Sequence, residues 1–348
     1  MKVLIVGGVA AGTKVAAKLK RERPDAQVLI LNKGKDISYA GCGLPYYVGH
    51  VIEERGALVV NTPEAFTGLT GAQVRTGVEV TGLDRAGKTV AAKDLITGET
   101  FTEGYDKLVL AVGARSFVPQ CEGLGLKNVF FLRTPDDAAA MREQVDAGEI
   151  RRAVVVGGGF IGLEAAENLA AQGVKVSVID FAPHVLSELL DPECCTYVES
   201  KMVDAGVMPF TGVALEGITG NGKAEKVLTS RRPMKADAVL LAMGNRPNTE
   251  FLTDSGLEMV KGTLVVDGDM RTNDPDIYAV GDCALVTNRV TGNRQWSAMG
   301  STANITGRLA ALRIAGEVGP AYPGVLGTGV AKLPGVSMGR DRRQKGRH

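Results

Sequence analysis

The sequence predicts an α/β chain with two doubly wound parallel sheets, each layered between helices. Three observations carry this. Lys2–Val6 and Ala153–Val156 are short, wholly or almost wholly apolar runs. Each ends in a glycine-rich turn, GGVAAG at 7–12 and GGGFIG at 157–162. Each turn opens a helix that leads to a second apolar run, Gln27–Leu31 in one case and Val174–Ile179 in the other. Strand, glycine turn, helix and strand in that order make a βαβ unit, and runs this apolar belong to strands buried on both faces.

The first helix is expected to run to about Arg23 and the second to about Ala171. Between the two units, VRTGVEVTGLD, KTVAAKDL and YDKLVLAVGA, within residues 72–110, read as strands and turns of a β-meander on the first domain. YDKLVLAVGAR (105–115) and DAVLLAMGNRPN (237–248) are matched apolar strands with glycine exits. TNDPDIYAVGDCA (272–284) is a buried strand ending in Gly-Asp, and GSTANITGRLAALRIAG (300–316) a helix. The expected domains are a discontinuous one, 1–114 with 245–318, a second over 115–244, and the start of a third over 319–348.

The 348 residues allow two or three domains with cores of their own. A formal net charge of +1 gives no field to recruit nucleic acid or an anionic membrane, so small molecules are the expected partners. The N-terminal apolar run is too short for a secretory signal, and no stretch approaches the roughly 20 apolar residues of a membrane span. The protein is therefore read as cytoplasmic. Five cysteines, Cys42, Cys121, Cys194, Cys195 and Cys283, lack metal-ligand spacing, which suits a reducing compartment where a conspicuous thiol is more often catalytic than structural.

In such a turn the first glycine permits the bend, the second lets backbone approach a pyrophosphate, and the third packs helix on strand, leaving the helix N-terminus to the phosphates. Gly157, Gly159 and Gly162 fill these places, with Phe160 and Ile161 opening the helix and Gly244 at the matching strand exit. Asp180 ends the next strand, where a carboxylate accepts a ribose 2′-hydroxyl and repels a 2′-phosphate, favouring NADH over NADPH. The first turn comprises Gly7, Gly8, Val9, Ala10, Ala11 and Gly12, with Val9 at the middle-glycine place and Asn32 where an acid would stand. The Asn32 amide is expected to bond a ribose hydroxyl. Lys33 and Ser38 beyond it, and Ala111 and Gly113 at the first strand exit, complete this candidate site.

Thr272, Pro275, Ala279, Gly281 and Asp282 fall in the pattern T-x-x-P-x-x-x-A-x-G-D. It resembles the second flavin motif of two-dinucleotide-fold flavoproteins, whose aspartate binds the ribityl chain of FAD. The remaining feature is SYAGCGLPYY, residues 38–47. Ser38, Tyr39, Cys42, Leu44, Pro45 and Tyr46 match S-[FY]-x-x-C-x-L-P-Y. With the order flavin turn, cysteine segment, NADH turn and Gly-Asp motif, residues 1–338 resemble the pyridine nucleotide-disulfide oxidoreductases, and within them the single-cysteine branch. That branch holds coenzyme A disulfide reductases, NADH oxidases, NADH peroxidases and per- or polysulfide reductases.

The resemblance implies two Rossmann-like FAD/NAD(P)-binding domains, and FAD and NADH as cofactors. Dithiol members carry a second cysteine five positions after the first, where this chain has Tyr47. Cys42 is then the single redox residue, receiving electrons from NADH by way of FAD and exchanging with a coenzyme A disulfide, polysulfide or persulfide, with Tyr46 and Tyr47 as substrate-facing candidates. Its thiolate would be favoured by a helix N-terminus, with Gly41 and Gly43 leaving access and Pro45 in the first helical turn. Members that reduce peroxide or oxygen have a histidine in the first glycine turn, where Ala10 stands; oxidase activity by direct reaction of reduced flavin stays open. A buried structural thiol is the other reading of Cys42.

Other residues rank lower. Cys194 and Cys195 read as core or interface thiols of a helix, since a vicinal disulfide would be strained. Trp296 and Met299 fall where the family packs against flavin, and core packing alone explains them equally well. Arg115 and Arg246 meet phosphates or cap strand ends. Family members are homodimers through a C-terminal interface domain of roughly a hundred residues. The resemblance ends near Met338 and RDRRQKGRH (340–348) is unlike that domain, so an interface domain cut short is the expectation, and a basic tail for an acidic partner the alternative.

Overall fold

The computed structural model describes residues 1–341; most of the basic end, 342–348, lies outside the described residues. Among the described residues the helices are α1 (Ala10–Glu22), α2 (Leu44–Val48), α3 (Pro63–Thr70), α4 (Pro135–Asp146), α5 (Phe160–Ala171), α6 (Pro192–Asp204) and α7 (Gly300–Ala315). The chain divides into two compact units. One holds residues 1–40, 59–115 and 246–327; the other holds, among the described residues, 41–58, 116–245 and 328–341.

In the first unit a five-stranded parallel sheet has the order Ile277–Ala279, Lys107–Leu110, Lys2–Val6, Gln27–Asn32, Gln73–Thr76. Val3, Leu4 and Ile5 of the central strand are fully buried, as are Leu108, Val109 and Leu110 beside it. Each such side chain contributes about 1.5–3 kcal/mol by leaving water. α1 lays Val15, Ala16 and Leu19 on this sheet and packs against α7 so closely that a Cβ on Gly307 would lie 2.7 Å from Ala11 O. The antiparallel meander is confined to Val78–Asp84, Thr89–Asp94 and Thr100–Gly104. Gln73–Thr76 and Lys107–Leu110, at the edges of the stretch read as meander, belong instead to the parallel sheet. Lys107–Leu110 is apolar through its last three residues, which suits burial on both faces.

The second unit repeats the plan. Its parallel sheet runs Val129–Phe130, Ala238–Leu241, Arg152–Val156, Lys175–Asp180, Val207–Thr211. A three-stranded meander (Leu215–Thr219, Lys226–Thr229, Met234–Lys235) again interrupts the chain path, here between Val207–Thr211 and Ala238–Leu241. In both units the chain reverses direction beside the first strand, and the crevice above such a switch point is where open α/β sheets hold ligands.

Two segments join the second unit that the sequence order had placed elsewhere. Residues 41–58 carry Leu44, Tyr47, Val48 and Leu58 into a core with Phe130, Leu132, Met141 and Leu163. The hairpin Gly329–Leu333 and Val336–Arg340 adds Ala331, Leu333 and Met338 to the same core. Apolar side chains on these two segments decide their placement. No helix among the described residues is long and apolar enough to cross a membrane.

Candidate active site

The first glycine turn is a cradle that side chains would fill. Gly7 has φ +101°, and a Cβ there would overlap Ala111 O; a Cβ on Gly12 would overlap Gly7 O. Gly8 is gripped on both sides: its N–H donates to Asn32 Oδ1 at 2.9 Å, and its carbonyl accepts from Ser38 N at 2.9 Å. Ser38 holds this contact from the left-handed region, at φ +51°. Val9 is the N-cap of α1, without a side-chain cap bond, and Ala10 and Ala11 begin the helix, whose first turn has no acidic residue.

Asn32 is buried, and both Nδ2 hydrogens are spent, on Gly34 O at 2.8 Å and Asp36 O at 3.0 Å. Both amide hydrogens thus shape the turn, while Oδ1, which accepts from Gly8 N, keeps a lone pair. Lys33 is exposed and paired with Glu79 at 2.8 Å. Gly113, at the strand exit, accepts from Asn248 N at 3.0 Å, and Asn248 Nδ2 donates to Val112 O at 3.0 Å. Arg115 pairs with Glu250 and donates to Pro247 O, which makes it a strand-end clasp.

At the Gly-Asp motif, Gly281 N donates to Thr306 Oγ1 of α7, and a Cβ on Gly281 would lie 3.0 Å from that of Ala11. Asp282 is half-buried beside it, and its carbonyl accepts from Trp296 Nε1 at 2.6 Å. The motif thus sits on α1 and α7, and α7 also begins without a side-chain cap or an acidic first turn.

The second turn has the same build. Gly157 has φ +111° and a Cβ there would overlap Ala242 O; a Cβ on Gly162 would overlap Gly157 O; around Gly159 there is open space. Gly158 N donates to Asp180 Oδ2 at 2.6 Å, and Leu186 N donates to Gly158 O at 3.0 Å from φ +54°. Asp180 Oδ1 accepts from Ala182 N at 2.8 Å, so each carboxylate oxygen holds one backbone N–H and keeps a lone pair. Gly159 caps α5 with no side-chain bond and no acid in the first turn, Phe160 and Ile161 are half-buried, and Gly244 has open space about it. By contrast α3, α4 and α6 each carry an acid in their first turn, and α4 closes a full capping box between Thr134 and Asp137. The chain thus leaves uncapped the helices of its glycine turns, where backbone N–H groups and the helix dipole suit a phosphate. These residues fit dinucleotides.

Cys42 is exposed, in the single 3₁₀ turn Gly41–Gly43 that runs into α2 with Pro45 in its first turn. Beside Gly41 there is open space. α2 has only five residues, a far shorter stack of peptide dipoles than the expectation of a helix end behind the thiol assumed. Tyr46, four residues on, donates its hydroxyl to Glu164 Oε1 at 3.1 Å. Burial, then the Glu164 charge, push the Tyr46 phenol up to about 12, and burial raises the Glu164 carboxyl. Tyr47 is buried under the Arg142 guanidinium, 4.4 Å from its ring centroid, so the structure makes it a packing residue instead of a substrate-facing one. Neither contact was visible in the sequence, because the partners lie about a hundred residues away on α4 and α5.

The other thiols differ. Cys283 is fully buried with Sγ against Leu110 O at 3.2 Å, and burial pushes it up to about 11. Cys195 is buried and also pushed up to about 11 by burial; Cys121 is raised by burial; Cys194 is exposed. Cys42 is the exposed thiol between two glycines.

Residues 1–303 match the family model described as pyridine nucleotide-disulphide oxidoreductase. The chain belongs to this family. As a pyridine nucleotide-disulphide oxidoreductase it has FAD and a nicotinamide dinucleotide as cofactors. It is similar to an NADH oxidase of Methanocaldococcus jannaschii (33% identical, covering 97% of this chain and 75% of that protein). A CoA-dependent NAD(P)H sulfur oxidoreductase of Pyrococcus abyssi is 35% identical, with coverages of 97% and 74%. Among solved structures, an NAD-dependent persulfide reductase from A. fulgidus superposes with a TM-score of 0.92 at 35% identity, over 96% of this chain and 62% of that one. The chain thus spans about three quarters of these curated relatives and less than two thirds of that solved chain.

Proposed function

We propose that this family member is an NAD(P)H:disulfide oxidoreductase in which Cys42 exchanges with a coenzyme A disulfide, a polysulfide or a persulfide. The observation that carries the reading is Cys42 itself: exposed, between glycines, with buried Tyr47 at the position where dithiol members have a second cysteine. With Tyr47 in place of a second cysteine, Cys42 forms its disulfide with the substrate. Its thiolate attacks one sulfur of R–S–S–R, the Cys42–S–S–R bond forms as the S–S bond breaks, and the leaving thiolate takes a proton from water. Two electrons and a second proton then release the other thiol and restore Cys42.

FAD, when bound, supplies the two-electron relay between the nicotinamide hydride and this sulfur. The backbone of Gly7–Gly12, the 281–282 motif and the open start of α7 are assigned to hold it. Gly157–Gly162 and Asp180 are assigned to NADH, with the Asp180 charge disfavouring a 2′-phosphate. Ala10 gives the first turn no proton carrier, which favours disulfide over peroxide as oxidant. Relatives named for coenzyme A-dependent sulfur and persulfide reduction support the substrate class. Intact mass before and after reduction by a phosphine tests the reading. A coenzyme A or sulfane-sulfur adduct located on Cys42 is expected; a thiol carried on any other cysteine contradicts it.

A further inference from the structure

We propose that Arg142 is the positioning residue of the Cys42 turn and that His50, as the neutral Nε2–H tautomer, holds Arg142 in place. The proposal rests on Cys42 being the reactive thiol. Arg142, on α4, has a side chain only 13% exposed. Its Nη1 donates to three backbone carbonyls, Tyr47 O at 3.2 Å, Ile52 O at 3.0 Å and Glu53 O at 2.7 Å. Its guanidinium also covers the Tyr47 ring. Tyr47 lies in the last turn of the short helix that follows the Cys42 turn, so one guanidinium gathers the carbonyls on which the segment turns back. A five-residue helix has too few internal bonds to fix its own axis, and donors from α4 supply the lack.

The remaining contacts fix the tautomer. Arg142 Nη2 lies 2.9 Å from His50 Nδ1, and His50 Nε2 lies 2.6 Å from Asp146 Oδ1. Guanidinium has no acceptor, so Nδ1 must be the bare nitrogen and Nε2–H the donor to Asp146. His50 reaches this place from φ +60°, a left-handed conformation that its surroundings must hold. A second proton can enter only at Nδ1, where it removes the acceptor and sets a cation against the Arg142 fork. The groups facing His50 from α4 are Arg142 and Asp146. From α5, Gln172 Nε2 donates to the adjacent Gly49 O at 2.9 Å and Asn168 packs on Gly49, both neutral. A proton added at Nδ1 therefore opposes the clamp.

The test uses the full FAD-loaded chain. Disulfide turnover is measured from pH 5 to 9 for wild type, R142M, R142K and H50Q, together with Cys42 alkylation by iodoacetamide, read by peptide mass with Cys194 as internal control. H50Q offers an amide oxygen to Arg142 and an amide N–H to Asp146, with no proton to gain. R142M is expected to lose about tenfold in kcat, as for a misplaced reactive group, with KM for NADH unchanged. R142K recovers part of this, since an ammonium reaches one carbonyl and cannot fork. The wild-type to H50Q turnover ratio should be near one at pH 8 and fall several-fold towards pH 5, with a matching inflection in wild-type Cys42 alkylation that H50Q and Cys194 lack. A ratio constant with pH, or R142M with wild-type kcat, overturns the proposal. Should R142M fail to fold by circular dichroism, the H50Q ratio decides alone. If a Cys42→Ser variant turns over as fast as wild type, the reading of the thiol has failed, while the alkylation inflection still reports the clamp.

Discussion

Asn32 holds Gly8 as Asp180 holds Gly158: a side-chain oxygen at the end of the second strand accepts the N–H of the second turn residue, at 2.9 Å in one unit and 2.6 Å in the other. Ser38 and Leu186, each six residues further on and each at positive φ, then donate to the carbonyl of the same glycine. The two units thus share a locked turn.

This lock makes Asn32 a stability residue. Asn32→Ala strips the partner from buried Gly8 N, and those of Gly34 O and Asp36 O nearer the surface, and should cost about 1–3 kcal/mol by urea denaturation of the apoprotein. Asn32→Asp keeps the acceptor for Gly8 but turns a carboxylate oxygen toward two carbonyls. It should also destabilise, although it installs the residue type of position 180. Wild-type stability for Asn32→Asp would show that the Nδ2 bonds carry no weight.

The third and second glycines of the turn proposed to hold NADH should fail in different ways. A methyl at position 162 meets Gly157 O, so Gly162→Ala is expected to destabilise the second unit by several kcal/mol. A methyl at 159 meets nothing, so Gly159→Ala should change stability by no more than about 1 kcal/mol, the worth of an N-cap preference. Weakened NADH binding by calorimetry in this folded variant would then be steric. Unchanged NADH affinity in Gly159→Ala would contradict the assignment of this turn to the pyrophosphate.

Much of this plan is legible in sequence because it is local. Apolar runs bounded by glycines mark the strands, and the spacings within GGVAAG and GGGFIG put α1 and α5 where they are found. What is not legible depends on distant partners. That both amide hydrogens of Asn32 are spent inside the turn depends on how Gly34 and Asp36 turn back. Tyr47 read as substrate-facing from its neighbour Cys42, yet Arg142, on α4, covers it. The flanks of the meander escaped because alternation does not show which sheet a strand joins; the burial of Leu108 to Leu110 does.

Half-buried Glu164 should give stability a signed pH dependence. Its carboxyl is raised above its ordinary 4.5 by burial, so above pH 4.5 the native state holds a proton that the unfolded state has lost. Stability therefore falls as pH rises from 4.5 through the native value. Glu164→Gln keeps an acceptor for Tyr46 and removes this slope, so its melting temperature relative to wild type should be higher at pH 7 than at pH 4. An equal difference at both pH values would contradict the burial argument.

The thiols should separate by exposure. Iodoacetamide at pH 8 is expected to label Cys42 and Cys194 in the folded protein, and to leave Cys195 and Cys283, both pushed up to about 11, unlabelled until urea is added. Peptide mass spectrometry reads each site. Labelling of Cys283 at the rate of Cys42 in native protein would mean that the core around Leu110 opens.

The central claim is that Cys42 is the sulfur that meets the substrate. Anaerobic NADH should bleach the flavin absorbance of both the wild-type protein and Cys42→Ser, since neither glycine turn depends on this thiol. Coenzyme A disulfide or polysulfide should then restore the colour in wild type through many turnovers and leave Cys42→Ser bleached. Recovery of Cys42→Ser at the wild-type rate would contradict the account.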